Sequence, residues 1–458
     1  MDTPDWILLS VLLYVCAVLA EGTHVFVVRR ASVFEPIGQY LLFVSLFSLP
    51  LPIRAWMTME IEGNVSPDLP QFAPYLPVAL ALTALSLPVF AAGYYSRFAR
   101  RLGERMPLLA QRSLRGTRAG VLALVALSSV LIYLLTAEIG GLVPFLFLGY
   151  KSSEATFGHG YLAVGFPWLL VAMVAMLDRY AVSRQKLDLL GFGVLLLANL
   201  AIHIVTGNRV MIMYLAVVLA IFTHFRIRRL SLVLLAPVAV VGFIGLNVIG
   251  VIRGSDYETL DDFTEQTLSS AETVGGDDKE GLFYTLTIGE FVVPFETLPQ
   301  MVRTVGVTEW PWFGASFLRV PVYVIPSAIF PDRPLPLANW YMKQFYGSGY
   351  GLNEGRQFFF LAEGYLNFGP LGVLLLAAAW GVLWGALHRW MQRGRDRFGT
   401  VLVYALLAGF MFRCIAGDLV SLLIGTTQQS LVAVALLLVV ARLFGSRRRV
   451  MRSGGLVV

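Results

Sequence analysis

The sequence has little charge and little cysteine for a chain of 458 residues. Charged residues make up 14% of it, against about 25% in soluble domains. Its two cysteines, Cys16 and Cys414, lie far apart in apolar segments, which excludes a disulfide framework and a cysteine metal site. The motifs of nucleotide-binding loops, zinc proteases and serine hydrolases are absent as well. These absences argue against a soluble enzyme of those classes and against an ATP-driven pump.

Hydrophobic residues, by contrast, make up 57% of the chain, and they occur in long runs. A bilayer core of roughly 30 Å is crossed by about 20 residues of apolar helix. Runs of that order cover residues 6–27, 33–53, 75–95, 119–137, 161–177, 189–206, 210–225, 230–250, 366–387, 400–417 and 428–443. The sequence therefore predicts an all-α polytopic integral membrane protein with about 11 transmembrane helices.

Basic residues are concentrated in alternate loops between these runs. They occur at Arg29 and Arg30, in 97–118, 179–186, 226–229 and 389–397, and in the C-terminal tail. Because cytoplasmic loops are enriched in lysine and arginine, we predict that these loops face the cytoplasm. The net charge of +6 is thus spread over many loops, which argues against a nucleic-acid partner.

One outer loop is much longer than the others. Residues 253–365 separate the helices of 1–252 from the C-terminal helices and basic tail of 366–458. The loop begins with an acidic stretch, whereas 281–301 and 313–331 are apolar and aromatic but interrupted by proline, glycine and charge. Such segments are typical of short helices at the membrane surface. We therefore expect the chemistry of this protein in the large loop.

Arginines stand at the outer ends of the helices and in this loop. They are Arg209, Arg253, Arg319, Arg333 and Arg356. A guanidinium group binds two phosphate oxygens at once and stays charged. Together, these five arginines would form a pyrophosphate site at the membrane surface. The alternative for each arginine is an anchor that holds a helix end at the lipid headgroups.

Residues 326–370 carry the most informative pattern of the chain. They contain P-x-x-I-F-P-D-R-P, then N-E-G-R, then A-E-G-Y-L-N-F-G-P-L-G at the start of the next apolar run. Together with the helix layout, the large loop and the turn Gly207-x-Arg209, this pattern resembles the Wzy-type O-antigen and oligosaccharide repeat-unit polymerases.

The resemblance implies a GT-C-like membrane fold in the bacterial inner membrane, with a large periplasmic loop and the active site facing the periplasm. It also implies transfer of a growing glycan from undecaprenyl pyrophosphate to a hydroxyl of a new lipid-linked repeat unit. The partners would then be lipid-linked oligosaccharides and membrane lipid, with a chain-length regulator as a further candidate. No cofactor is implied. The product would be O-antigen or a related polysaccharide.

This reaction needs a base for the attacking hydroxyl and positive charge for the departing pyrophosphate. The five arginines named above would supply the charge. Candidates for the base are Glu363 and Glu354, followed by Asp332 and His159. Glu363 lies just before an apolar run, where burial would tune it, and an ion pair with Arg356 is the alternative. Aromatic, hydroxyl and amide groups suited to sugars are Asn353, Tyr350, Trp340 and Tyr365.

Three other functions stay open. A polyprenyl-phosphate-sugar glycosyltransferase of the GT-C type would use an acidic pair such as Glu60 and Glu62, often with a metal ion, whereas the polymerase scheme requires no metal. Ligation of a finished glycan uses related chemistry. A flippase or transporter for the same lipids would use charges within the membrane, for which the candidates are Glu21, Glu35, Asp418 and Arg413.

Overall fold

The chain folds almost wholly into helices. A computed structural model describes residues 3–58, 69–109, 114–148, 159–231, 293–325, 333–347 and 356–445, with the single residues 237, 242, 245 and 330. Within these residues no β-strand occurs. In chain order the main helices are α1 (Asp5–Val28), α2 (Pro36–Met57), α3 (Ala73–Tyr94), α4 (Arg97–Arg105), α5 (Arg115–Ala137), α6 (Gly160–Ser183), α7 (Lys186–Val205), α8 (Arg209–Ile227), α9 (Val293–Thr304), α10 (Ala315–Arg319), α11 (Leu337–Phe345), α12 (Phe360–Arg393), α13 (Phe398–Ala416), α14 (Leu419–Thr426) and α15 (Thr427–Leu443).

Nine of the described helices are long and apolar enough to cross a bilayer. They are α1, α2, α3, α5, α6, α7, α8, α12 and α13, and each coincides with one of the apolar runs. The run at 428–443 forms α15, which is apolar but shorter. Apart from residues 230 and 231 and the single residues 237, 242 and 245, the run at 230–250 lies outside the described residues. The all-α, multi-pass class is therefore confirmed, while the number of spans stays a prediction.

Helix α12 is the centre of the packing. It lies along α3 and also contacts α4 and α9. Gly381 and Gly385 of α12 face the backbone carbonyls of Phe90 and Tyr94, where a Cβ atom would overlap the carbonyl oxygen. Small residues at a crossing let two membrane helices approach closely. The two glycines thus fix how near α12 lies to α3.

Helix α12 begins earlier than hydropathy predicts and is bent. The apolar run starts at 366, whereas the helix starts at Phe360, because Glu363 interrupts the hydropathy without interrupting the helix. At Phe368 and Gly369 the backbone leaves helical geometry, with φ of −140° and +60°. Glycine tolerates the positive φ, and Pro370 follows it.

The arginine-rich loops meet at one end of the bundle, which we call the basic end. Arg393, the last residue of α12, donates to the carbonyl of Gly103 in α4 at 2.8 Å. Arg226 at the end of α8 donates to Asp178 of α6 at 2.8 Å, and Arg395 to the carbonyl of Phe225 at 2.8 Å. The opposite end, which we call the loop end, carries α9, α10, α11, the start of α12 and the α13–α14 connection. The assignment of the basic end to the cytoplasm stays a prediction.

Candidate functional site

Glu363 lies on the first turn of α12 at the loop end and is only 1% exposed. Its Oε1 accepts a hydrogen bond from Ser316 Oγ at 2.7 Å. Its Oε2 accepts a hydrogen bond at 2.8 Å from the backbone N–H of Leu419, which is the first residue of α14. A carboxylate is favourable at a helix N-terminus, where N–H groups lack helical partners. One buried side chain therefore joins α10, α12 and α14.

The bend in α12 attaches the large loop to this region. A break in a helix frees backbone carbonyls that need other donors. The backbone N–H groups of Trp312 and Phe313 donate to the carbonyls of Leu366 and Asn367 at 3.0 and 3.1 Å. The bend thus holds the segment that leads into α10, and with it Ser316, against α12.

Asn367, one turn after Glu363, completes the hydrogen bonds around Ser316. Its Nδ2 donates to Ser316 Oγ at 2.8 Å and to the carbonyl of Glu363 at 2.7 Å. Its Oδ1 accepts from the backbone N–H of Gly314 at 2.9 Å. Ser316 therefore receives one hydrogen bond and donates one to the carboxylate, which leaves its hydroxyl oxygen one further lone pair.

Asp418, between α13 and α14, is a second buried carboxylate next to the first. Its Oδ2 accepts from the backbone N–H of Leu337 at 2.9 Å, at the start of α11. Burial, with the negative charge of Asp418, raises the pKa of the nearby Tyr323 to about 12. The Tyr323 hydroxyl donates to the carbonyl of Pro334 at 2.6 Å. Glu363 and Asp418 are therefore two buried carboxylates close enough for their charges to interact.

Two of the predicted arginines lie near Tyr323. The guanidinium of Arg319 lies over the ring of Trp312 at 4.4 Å, and that of Arg333 over the ring of Tyr323 at 5.6 Å. Both positive charges act on Tyr323 and oppose the effect of Asp418. Both arginines are partly exposed, so they can meet an anion from outside. We call Glu363, Asp418, Ser316, Asn367, Tyr323, Arg319 and Arg333 together the carboxylate site.

Arg356 belongs to a different cluster. Its Nη2 lies 3.4 Å from Oε2 of Glu296, a fully buried residue of α9, and its Nη1 donates to the Tyr346 hydroxyl at 2.6 Å. Glu296 also accepts from the hydroxyls of Tyr346 and Tyr341. Burial and the charge of Glu296 raise the pKa of Tyr341 well above its usual value, so this hydroxyl stays a donor. The ion pair between Arg356 and Glu363 that the sequence left open does not form.

Helix α11 links the two clusters. Its first residue, Leu337, donates to Asp418, and one turn later Tyr341 donates to Glu296. Between them, Trp340 packs edge-on against Trp312 at 4.9 Å between ring centroids. Trp340, predicted to bind sugar, thus lies beside the ring that supports Arg319.

The other predicted residues lie elsewhere or outside the description. Arg209 begins α8 after a turn in which Gly207 has φ of +63° and Asn208 caps the helix. His159 precedes α6, and Tyr365 is half-buried on α12. Neither Arg209 nor His159 contacts Glu363. Residues outside the described part are Arg253, Asp332, Glu354, Asn353, Tyr350, Glu60 and Glu62.

Several residues of the two clusters were not among the predicted site residues. Asn367 lies inside the motif A-E-G-Y-L-N-F-G-P-L-G, and its spacing of four from Glu363 on a helix could have identified it. Asp418 was considered only as a charge within the membrane. Ser316, Glu296 and Tyr323 have no local signal, because their partners lie at least 11 residues away in the chain.

Within the described residues, no group of three or more His, Cys, Asp and Glu side chains could hold a metal ion. Comparison of the chain with known proteins gives no match among family models, curated proteins or solved structures.

Proposed function

We propose that this multi-pass membrane protein is a glycosyltransferase that polymerises lipid-linked oligosaccharide repeat units, as the motifs of residues 326–370 suggest. The growing glycan would move from undecaprenyl pyrophosphate to a hydroxyl of a new repeat unit at the periplasmic face of a bacterial inner membrane. The observation that carries the proposal is the buried Glu363, bonded to Ser316 and close to Asp418, with Arg319 and Arg333 near the neighbouring Tyr323.

In this proposal the arginines act on the leaving group. As the anomeric carbon–oxygen bond breaks, its electron pair passes to the pyrophosphate. Arg319 and Arg333, held over aromatic rings and partly exposed, would stabilise the charge that develops there. Arg356 would have a supporting role, because it already forms an ion pair with Glu296.

The hydroxyl proton would leave through Ser316. The attacking hydroxyl donates to the free lone pair of Ser316 Oγ, and the proton of Ser316 passes to Glu363 Oε1, 2.7 Å away. The new carbon–oxygen bond forms as the pyrophosphate departs, so Glu363 ends protonated. Ser316 lies on the five-residue helix α10. Leu318, two residues later on the same helix, is 79% exposed, so a short movement of α10 would admit the attacking hydroxyl.

The test is polymerisation by the purified chain in detergent with EDTA, using a lipid-linked repeat unit of its own organism and gel analysis of the glycan. Wild type should give a ladder of repeat multiples. Glu363→Gln should lose about 10²–10⁴-fold in rate, the usual contribution of a general base. Ser316→Ala should lose less, and Ser316→Thr should retain activity.

Glu309→Gln is the matched control, because Glu309 lies in the same loop and is bonded to Gln344 rather than to the carboxylate site. Each variant is compared by thermal unfolding, so that loss of rate is separated from loss of fold. A folded Glu363→Gln variant with the wild-type rate would overturn the assignment. A single sugar added only with manganese and a polyprenyl-phosphate-sugar would favour the GT-C alternative at Glu60 and Glu62.

One observation favours a carrier as the second candidate. Helix α12 is interrupted at Phe368 and Gly369, and the N-terminus of α14 points at a buried carboxylate. Interrupted helices and ionisable groups at helix ends occur in transporters. Movement of a labelled lipid-linked repeat unit across vesicles, without any ladder, would support this function instead.

A further inference from the structure

Helix α4 is a short basic helix that begins where the span α3 ends. Only Tyr95 and Ser96 separate the two helices, and the Ser96 hydroxyl caps α4 by accepting from the Ala99 N–H at 3.0 Å. Ala99 and Gly103 are buried against α12, and Arg393 donates to the carbonyl of Gly103 at 2.8 Å. Helix α4 is thus fixed to the bundle at the level where α3 leaves the apolar region.

One flank of α4 is apolar and open. Phe98 is 66% exposed and Leu102 is 39% exposed. Because a helix turns by about 100° per residue, residues four apart lie on the same side. Phe98 and Leu102 therefore form a single apolar flank directly beside the face that packs on α12.

Three arginines border this apolar flank. Arg97, Arg101 and Arg105 follow one another at intervals of four, are all exposed, and have no carboxylate partner among the described residues. Arg100 differs, since it lies on the far flank and forms an ion pair with Glu104 at 3.8 Å. Charge on α4 is thus unbalanced only on the side that carries Phe98 and Leu102.

We propose that α4 is a binding site for anionic phospholipid headgroups of the adjacent leaflet. Phe98 and Leu102 enter the boundary between headgroups and acyl chains, as the apolar side of an interfacial helix does. Arg97, Arg101 and Arg105 then lie at the depth of the phosphates, where their charges are complementary to the lipid. The position of α4 at the end of α3 gives the helix this depth without further movement.

The purified chain in detergent is incubated with equal amounts of phosphatidylglycerol and phosphatidylcholine, and bound lipid is counted by native mass spectrometry. Wild type should retain phosphatidylglycerol in preference. Each of Arg97→Gln, Arg101→Gln and Arg105→Gln should lower the preference by up to about fivefold, the effect of one basic residue at a membrane surface. The triple variant should lose most of it. Arg100→Gln, an identical change on the paired flank, should keep it.

Three results would overturn the proposal. In the first, the triple variant keeps the wild-type preference, which would indicate that a protein partner binds this face. In the second, Arg100→Gln lowers the preference as much as Arg101→Gln does, which would indicate that net charge alone sets the preference. Displacement of the lipid by inorganic phosphate at equal concentration would also overturn it, because a free anion would then satisfy the arginines without the apolar flank. Phe98→Ser keeps all four arginines and should weaken retention of phosphatidylglycerol.

Discussion

The two ends of the bundle hold their buried charges in different ways. At the basic end, Arg179 and Asp188 form a buried ion pair at 3.0 Å. At the loop end, Glu296 pairs with Arg356, whereas Glu363 accepts its hydrogen bonds from a hydroxyl and a backbone N–H, neither of which is charged. A buried charge that lacks an opposite charge is costly, and groups of this kind are common at functional sites. We therefore treat the buried ion pairs as stabilising and propose the chemistry at Glu363.

The largest effect on stability is expected at the basic end. Asp188→Ala leaves the guanidinium of Arg179, a side chain only 4% exposed, without its carboxylate partner. Removing one partner of a buried ion pair costs about 3–5 kcal/mol. The free energy of unfolding in detergent, from a denaturant titration, measures this loss.

Lys186→Ala is the control, because Lys186 lies two residues from Asp188 but is exposed. It should change the unfolding free energy by less than about 0.5 kcal/mol. A small effect of Asp188→Ala would remove the ground for treating the buried ion pairs as stabilising.

Within the loop end, Arg356 and Arg319 should separate into a structural and a functional arginine. Arg356→Gln breaks the contacts with Glu296 and Tyr346 and should lower stability by about 2 kcal/mol, the worth of a hydrogen bond to a charged group. Arg319→Gln loses a contact with Trp312 worth about 0.5–1 kcal/mol, yet should lose more of the polymerisation rate.

Both variants are compared by unfolding and by the rate of ladder formation. If Arg356→Gln kept full stability and Arg319→Gln lost it, the structural role would belong to the cluster of Arg319 and the functional role to that of Arg356.

The sequence predicts the helices better than it predicts the site. Long apolar runs are a local property, so nine helices follow from hydropathy. The burial of Glu363 was also predicted, because this residue lies just before an apolar run. Its partners Ser316 and Leu419 lie 47 and 56 residues away, and they meet Glu363 only because α10 and α14 pack on α12. Sequence spacing carries no information on such packing, which is why Arg356 was considered for Glu363 rather than for Glu296.

Glu35 lies at the basic end, but its partners differ from those of Asp188. The pH dependence of stability at Glu35 therefore tests the comparison of the two ends. It accepts from the Ser32 N–H and the Tyr94 hydroxyl and lies 3.4 Å from Nε2 of His388. Burial raises its pKa above the ordinary value of 4.5. The folded state therefore favours the neutral acid, and the stability this adds is present at low pH and lost as the pH rises through the raised pKa.

Glu35→Gln is neutral at every pH, so its melting temperature should vary less than that of wild type as the pH rises from about 4.5. The effect should be smaller than that of Asp188→Ala, because Glu35 is partly exposed. Equal pH profiles of the two proteins would indicate that His388 balances the charge of Glu35, as arginine balances charge elsewhere at this end.

The smallest effect is expected for the ion pair of Arg100 and Glu104 in α4. The two side chains are 56% and 55% exposed and their charged atoms are 3.8 Å apart. Exposed pairs four residues apart on a helix contribute only about 0.3–0.5 kcal/mol. Glu104→Gln should therefore leave the unfolding free energy almost unchanged, and added salt should abolish the remaining difference. Asp188 and Glu104 both lie at the basic end and both pair with arginine, so they differ mainly in burial. A loss for Glu104→Gln as large as that for Asp188→Ala would mean that pairing itself, rather than burial, sets the stability of this end, and the contrast with Glu363 would then lose its physical basis.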